Sequence, residues 1–537
     1  MKLSLLSLAA AGLVSLGNLV QASVPPVHVD GRYFWNKNGT RFFIKGIAYQ
    51  PDSNGDEKYV DPLADKSTCE RDVKYLKELS VNTIRVYSVN SSSNHDDCMK
   101  IFDDNGIYVL SDLSSPDVSI NGKDPSWSVD LFKHYTDVVD SLAPYNNVLG
   151  FIAGNEVVQN VNNTDAAAFV KAAVRDVKQY IVNSGHRQIP VGYSTNDEQE
   201  TRVPMSHYFD CGDKADIVDF YGINIYEWCG DSSIHSSGYD ERTKEFQNYT
   251  VPVFFSEFGC IQVRPRKFTE VKALFSDEMT DVWSGGVAYE YFQAANKYGV
   301  VSVSGDSVST LTDFPHLSSM YASVQPSPTQ SSSMSLTSSG QSCAATQKAW
   351  KAATDLPPTP SEDVCECMDK TRQCVVADGV DSSDYGDLFS YVCTKIDCDA
   401  ISANGTAPGK YGSFSYCDSK QKLNYVLDAY YQQKGGCDFK GSASSVSAAS
   451  ATGACKSYLS AAGSSGTKPI SVTPDANAVS KGNGTDNMSS TYGGGGSNGK
   501  NGTTSGHQKS AASTSINTNA LVALVSMVVG GVAVLCI

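Results

Sequence analysis

The chain has 537 residues, 41% of them hydrophobic, and a formal net charge of −16. It is too long for one ordinary domain and long enough for a large core. The acidic balance, with no Lys/Arg cluster, speaks against a nucleic-acid partner and suits an uncharged polymer.

The chain opens "MKLSLLSLAAAGLVSLGNLVQAS". Lys2 is the positive start, Leu3 to Leu16 the apolar stretch, and Val20-Gln21-Ala22 a small-residue cleavage site. Residues 1–22 therefore read as a secretory signal peptide, with entry to the ER and export expected. From about residue 41 to 293, short apolar runs alternate with helical patterns. Strands are expected at Arg41–Ala48, Thr83–Val89, Ile107–Leu113, Val148–Asn155, Ile189–Ser194, Ile217–Tyr226, Val251–Ser256 and Gly286–Phe292. Amphipathic stretches such as Ser67–Ser80 and Asp165–Gly185 lie between them. The fold class is α/β, and the pattern fits a (β/α)8 barrel over residues 23–335, connector included. The alternative, an open doubly wound sheet, would normally carry a glycine-rich turn after the first strand. That strand instead ends "GIAYQPD".

The Ser/Pro-rich segment Gln325–Ser342 reads as the connector. Residues 336–455 form a small, mainly helical unit holding Cys343, Cys365, Cys367, Cys374, Cys393, Cys398, Cys417, Cys437 and Cys455. Such a small core needs covalent staples. Residues 456–519 are Ser/Gly-rich and read as a disordered stalk. Residues 520–537 are apolar and uncharged, without the basic flank of an ordinary membrane span, and match a GPI-attachment signal. Ser510 is one candidate attachment residue; Asn501 lies in another small-residue stretch. A GPI lipid would hold the protein at the outer face of the plasma membrane or pass it to the cell wall.

There are 15 cysteines. Cys536 lies in the tail that would be removed, which leaves an even number for disulfides in an oxidising compartment. Zinc is the rival reading of "CECMDKTRQC" (Cys365–Cys374), but no paired knuckles accompany it. Neither a metal nor a cofactor is expected. Cys69 and Cys98 begin neighbouring helices, and Cys229 and Cys260 follow neighbouring strands, so Cys69–Cys98 and Cys229–Cys260 are the expected pairs. N-glycosylation sequons occur at Asn38, Asn90, Asn162, Asn248, Asn404, Asn483, Asn487 and Asn501.

Two apolar runs end on carboxylates, "VLGFIAGNE" at Glu156 and "VPVFFSE" at Glu257. In barrels of this kind catalytic groups sit at the C-terminal strand ends. Alternation groups Ile152 and Gly154 with Glu156, and Val253 and Phe255 with Glu257. Two glutamates in one mouth imply glycoside cleavage, and their separation decides between inversion and retention. Two structural ion pairs are the bland alternative. Glu290 on the eighth strand is a rival carboxylate; its parity is opposite to Tyr289 and Tyr291, which turns it away from the mouth or makes it a brace of the barrel.

These motifs, with "FFIKGIAYQP", "TIRVYSV", "YGINIYEWCG" and "GGVAYEYFQ", resemble the fungal cell-wall β-1,3-glucanosyltransferases of glycoside hydrolase family 72. The cysteine-rich unit resembles the X8 module, carbohydrate-binding module family 43. The resemblance implies a retaining transferase that cuts β-1,3-glucan internally and passes the piece to a second glucan. Glu156 would be the acid/base and Glu257 the nucleophile, with Gln50, Tyr87, Asp112, Asn155, Tyr226 and Tyr289 around the sugar. It also implies a Cys211–Cys343 tether, with the remaining eight cysteines paired inside the second unit. A negative Glu257 is expected to raise the proton affinity of Glu156. The same residues would serve a retaining endo-glucanase, and a non-catalytic glucan-binding wall protein is the remaining class. A monomer is expected.

Overall fold

The computed structural model describes residues 23–52, 59–327, 329–333, 340–470 and 472. The signal segment, the apolar tail, Ser510, Cys536 and the sequons at Asn483, Asn487 and Asn501 lie outside them.

Eight parallel strands close into a barrel: β1 (Ile44–Ala48), β2 (Thr83–Val86), β3 (Tyr108–Asp112), β4 (Val148–Asn155), β5 (Val191–Asn196), β6 (Tyr221–Asn224), β7 (Val253–Phe258) and β8 (Trp283–Ala288). Helices α1 (Lys66–Glu78), α2 (Asp96–Asp104), α3 (Val129–Leu142), α4 (Ala167–Asn183) and α5 (Arg202–Phe209) follow the first five strands. Shorter helices α6 (Tyr239–Glu245), α7 (Glu270–Leu274), α8 (Asp277–Thr280) and α9 (Phe314–Ser323) complete the ring. Caps explain several starts: Asp65 accepts from Ser67 N at α1, and Ser128 accepts from Leu131 N at α3. The inner core is small, with Leu110, Leu149, Ile152, Phe254 and Val287 among its buried residues. An antiparallel sheet of His28–Asp30, Tyr33–Trp35 and Arg41–Phe42 plugs the N-terminal end. Its Phe34 ring lies 6.0 Å from Phe220 and 6.2 Å from Phe254.

Several strand limits differ from those expected. Arg41 and Phe42 belong to the plug, not to β1. The expected fifth, sixth and seventh strands began two to four residues before the pairing does. β8 begins earlier than Gly286 and stops at Ala288. Glycines argue against strands in sequence, but here one is required. Gly285 pairs with Ile44 at φ +93°, and a Cβ there would lie 2.2 Å from the Ile44 carbonyl oxygen.

The cysteine-rich part contains α10 (Glu362–Lys370), α11 (Tyr385–Cys393), α12 (Ser419–Lys434) and α13 (Gly453–Ala462). Its disulfides are Cys365–Cys417, Cys367–Cys455, Cys374–Cys437 and Cys393–Cys398. Cys69–Cys98 and Cys229–Cys260 form on the barrel, and Cys211–Cys343 joins barrel to cysteine-rich part. The fold continues past the expected boundary at 455. Helix α13 runs to Ala462, and Ala462 and Ile470 are buried against Phe414 and Tyr416. Serine and glycine content alone made that stretch look like stalk; its apolar residues have a core to enter. Phe414 is buried as well, whereas Tyr391 is 52% exposed.

Candidate active site

Alternation does not aim the two glutamates. Val253 and Phe255 face the outer helical layer, while Phe254 enters the inner core. Between Phe255 and Glu257 the β6–β7 register shifts, and Glu257 emerges at the barrel mouth. A similar shift lies between Ile152 and Asn155 on β4–β5, and Glu156 follows with φ +50°. Left-handed backbone in a non-glycine residue is uncommon and clusters at functional sites. Both carboxylates are thus presented by irregularities that a period of two cannot foresee.

Glu257 is held from three directions. Its Oε1 accepts from the Tyr87 hydroxyl at 2.8 Å and from Arg85 Nη1 at 3.3 Å, and its Oε2 accepts from the Tyr226 hydroxyl at 2.8 Å. Burial pushes its pKa up to about 7; Arg85 and the two phenols pull it down, while Glu156 pushes it further up. Burial, and then Glu257, raise Tyr87 and Tyr226, so both phenols stay protonated donors.

Glu156 accepts from Asn224 Nδ2 at 2.7 Å. Asn224 is the register partner of Glu257 across β6–β7, so one residue links the two carboxylates. Its own Oδ1 accepts from Ser256 at 2.8 Å and Ser194 at 3.3 Å, which fixes the amide's orientation. Asn155 Oδ1 accepts from Arg85 Nη2 at 2.9 Å and Asn224 Nδ2 at 3.3 Å. With its oxygen engaged, Asn155 turns its two N–H donors to a ligand.

Arg85, fully buried on β2, was not singled out in the sequence. It grips Asp112 through Nε and Nη2 at 3.1 and 3.0 Å, touches Asn155 and Glu257, and lies 4.4 Å over the Tyr87 ring. A cation in the apolar run "TIRVYSV" was as conspicuous as the glutamates. Asn224 and the serines gave no comparable signal.

Two of the residues expected around the sugar hold their neighbours in place. Asp112 is 2% exposed with both oxygens taken by Arg85, so it orients the guanidinium. Gln50 spends its amide on the backbone: Oε1 accepts from Tyr87 N at 3.1 Å and Ser88 N at 3.2 Å, and Nε2 donates to Val60 O at 2.7 Å. Tyr289 stands in an aromatic wall, its ring 6.4 Å from both Tyr87 and Tyr226 and 5.1 Å from Tyr298. Glu290 does not turn away. It lies beyond the end of β8, where alternation no longer applies, and its Oε1 accepts from Asn296 at 2.7 Å. Burial raises its pKa to about 7, and Glu257 adds to the rise.

Beside Glu156 opens a cavity of about 390 Å³, walled by Pro116, Asp117, Asn121 and Gly122 on one side and Val157 and Gln159 on the other. A larger hollow of about 540 Å³, lined by Pro25, Asn36, Lys37, Asn38 and Tyr108, lies at the plugged end and holds no carboxyl pair. Among the described residues no group of three His, Cys, Asp or Glu is placed to hold a metal.

The chain is similar to known proteins. A family model described as glucanosyltransferase matches residues 17–325, and an X8 domain model matches 372–444. The chain is 68% identical to 1,3-beta-glucanosyltransferase gas1 of Schizosaccharomyces pombe, over 90% of this chain and 89% of that one. It is 53% identical to pH-responsive protein 1 of Candida albicans, over 81% and 83%. A solved mutant of Saccharomyces cerevisiae Gas2p in complex with laminaritetraose and laminaripentaose superposes with a TM-score of 0.72 at 45% identity, covering 79% of this chain and 95% of that one.

Proposed function

The chain belongs to the glucanosyltransferases of glycoside hydrolase family 72, with an X8 domain behind the barrel, and from that premise we infer how its own residues carry the reaction. It is a retaining β-1,3-glucanosyltransferase that cleaves a glucan chain internally and passes the held segment to the non-reducing end of another. The observation that carries the residue roles is the carboxyl pair joined through Asn224, with Glu257 held by Arg85 and two phenols.

Glu257 attacks the anomeric carbon while Glu156 gives its proton to the departing glycosidic oxygen. The C–O bond to the leaving chain breaks as the bond to Glu257 forms. Asn155 donates to the sugar's 2-hydroxyl, a contact that tightens in the transition state. Glu156, now ionised, takes the proton from an acceptor hydroxyl. That oxygen displaces Glu257, and the product is a longer glucan. The cavity beside Glu156 is where the leaving chain departs, and by microscopic reversibility where the acceptor enters.

A single laminari-oligosaccharide, incubated with purified enzyme, should give products longer and shorter than itself. Only shorter products, even at high acceptor concentration, would replace transfer by hydrolysis. Carboxyl oxygens about 5–5.5 Å apart in a substrate complex would agree with retention, and more than about 6.5 Å would not.

The remaining reading rests on sequence. The amino-terminal segment supports export, and the apolar tail supports a GPI anchor holding a monomer at the outer face of the plasma membrane. We assign residues 336–470, rather than 336–455, to the X8-like part. The half-open cluster of Tyr391, Tyr430 and Phe439, with centroids 5.2–6.3 Å apart, supports glucan contact there. Release of active enzyme into the medium on deleting residues 520–537 tests the anchor.

A further inference from the structure

The cavity beside Glu156 is built from two loops, and both are held from outside by the cysteine-rich part. The first runs from β3 to α3, residues 113–128. Its far end is anchored where Trp127 Nε1 donates to Asp176 Oδ2 at 2.8 Å, and Thr359 Oγ1 donates to the other oxygen of Asp176 at 2.7 Å. Arg175 grips the same carboxylate and donates to the Pro357 carbonyl at 2.8 Å. One residue on, Val129 N donates to the Tyr416 carbonyl at 2.9 Å, and the Val129 side chain packs on the cysteine-rich core.

The second loop follows Glu156. Lys351 N donates to Thr164 Oγ1 at 2.9 Å, and Gly405 lies so close that a Cβ there would be 2.4 Å from the Asp165 carbonyl oxygen. Asn163 joins the loops, donating to Gly122 O at 3.1 Å and Val157 O at 2.9 Å. Glu257, Arg85, Asp112 and Asn224 are held entirely within the barrel, whereas Glu156 stands where the second loop begins.

We propose that the cysteine-rich domain sets the acceptor cleft, and so decides how often the glycosyl–Glu257 intermediate is discharged by a sugar hydroxyl rather than by water. The proposal rests on the transfer reading above. Discharge by sugar requires a long acceptor to be aligned at the anomeric carbon, whereas water needs no alignment. Walls held rigid from outside supply that orientation in advance and keep water out. Thr359 and Thr164 are then positioning residues; neither touches the reacting atoms.

The test uses the full chain with Thr359→Val, nearly isosteric, and separately Thr164→Val, which removes the acceptor of Lys351 N. Non-reducing peptide mapping establishes that Cys211–Cys343 is intact in each. At saturating donor, the rate of leaving-fragment release should stay within about twofold of the parent, although more donor is needed to reach it because the leaving chain lies in the same cleft. The ratio of transfer to hydrolysis should fall about three- to tenfold in at least one variant, the range expected for loss of one coupling contact, and half-maximal transfer should need more acceptor. Thr359→Ser and Thr164→Ser, which keep the hydroxyl, should hold the parent ratio. An unchanged ratio in both variants sinks the proposal, as does a loss of cleavage and transfer by the same factor, which marks general destabilisation. A parent enzyme that yields no elongated product overturns the transferase reading and this proposal with it. A parent that transfers, with variants that partition identically, overturns the proposal alone.

Discussion

Glu257 and Glu156 differ in what surrounds them, and the difference assigns their work. Glu257 collects two phenols and a guanidinium, which stabilise negative charge on both oxygens. Glu156 accepts from one neutral amide at the edge of a cavity, where a proton can come and go. Glu257→Gln should therefore abolish turnover. Glu156→Gln should block cleavage of unactivated glucan, yet keep glycosylation by a donor whose leaving group needs little protonation. The pH profile of that residual reaction carries a sign. Glu156 is one of the groups pushing Glu257 up, so its neutralisation should move the acid limb below about 7. A limb that stayed put, measured as kcat/KM with the activated donor, would deny the coupling. Arg85→Leu leaves Asp112 and Glu257 buried without their cation, and should cost about 3–5 kcal/mol in urea denaturation as well as activity. Arg85→Lys is no rescue, because a point charge cannot reproduce the planar fork.

At the scale of elements, the barrel closes where β8 meets β1, and that seam depends on Gly285. Its Cβ would collide with the Ile44 backbone at φ +93°. Gly305 also has positive φ, at +56°, but nothing lies within 4 Å. Gly305→Ala should cost only the left-handed strain, about 1–2 kcal/mol. Gly285→Ala should add the collision, roughly a further 1–3 kcal/mol. Equal losses in parallel denaturation curves would show that β8 can shift without penalty. On the outside of the barrel, Lys171 donates to the carbonyls of Tyr208 and Cys211 at 2.6 Å each, bracing the residue that carries the Cys211–Cys343 tether. Replacing both cysteines by serine should cost about 2–5 kcal/mol.

Across the whole molecule, several buried carboxyls hold their protons more tightly than they would in an unfolded chain. Burial raises Glu257, Glu270 and Glu290 to about 7, and burial with Glu227 raises Asp197 to about 8. A group whose folded pKa lies above its unfolded value gives stability that is complete below the unfolded pKa. That stability is lost as pH climbs through the folded value. The native enzyme should thus be most resistant to heat near the unfolded values, 4.5 for the glutamates and 3.8 for Asp197, with Tm falling as pH rises to about 8. Scanning calorimetry across that window checks the direction. Glu270→Gln, away from the carboxyl pair, should flatten part of the fall; a Tm that rose with pH would reverse the linkage.

The sequence by itself determined the eight-strand rhythm, the stapled second unit, and two glutamates at strand ends, because apolar runs, cysteine spacing and a charge after a buried run are local signals. It also placed Glu156 and Glu257 in one mouth, though for a wrong reason. Alternation did not aim them; register shifts in β7 and β4 and left-handed backbone at residue 156 did. Only the tertiary structure decided that Asp112 holds Arg85, that Gln50 holds the Tyr87 backbone, that Arg85 and Asn224 connect the site, and that Glu290 is buried against Asn296. Those assignments depend on which polar groups meet across strands far apart in sequence, where a hydrogen bond to a neighbour removes an atom from reach of the sugar. Only the tertiary structure, too, set the end of the folded part beyond Cys455, since whether Ala462 and Ile470 are buried depends on the core they find.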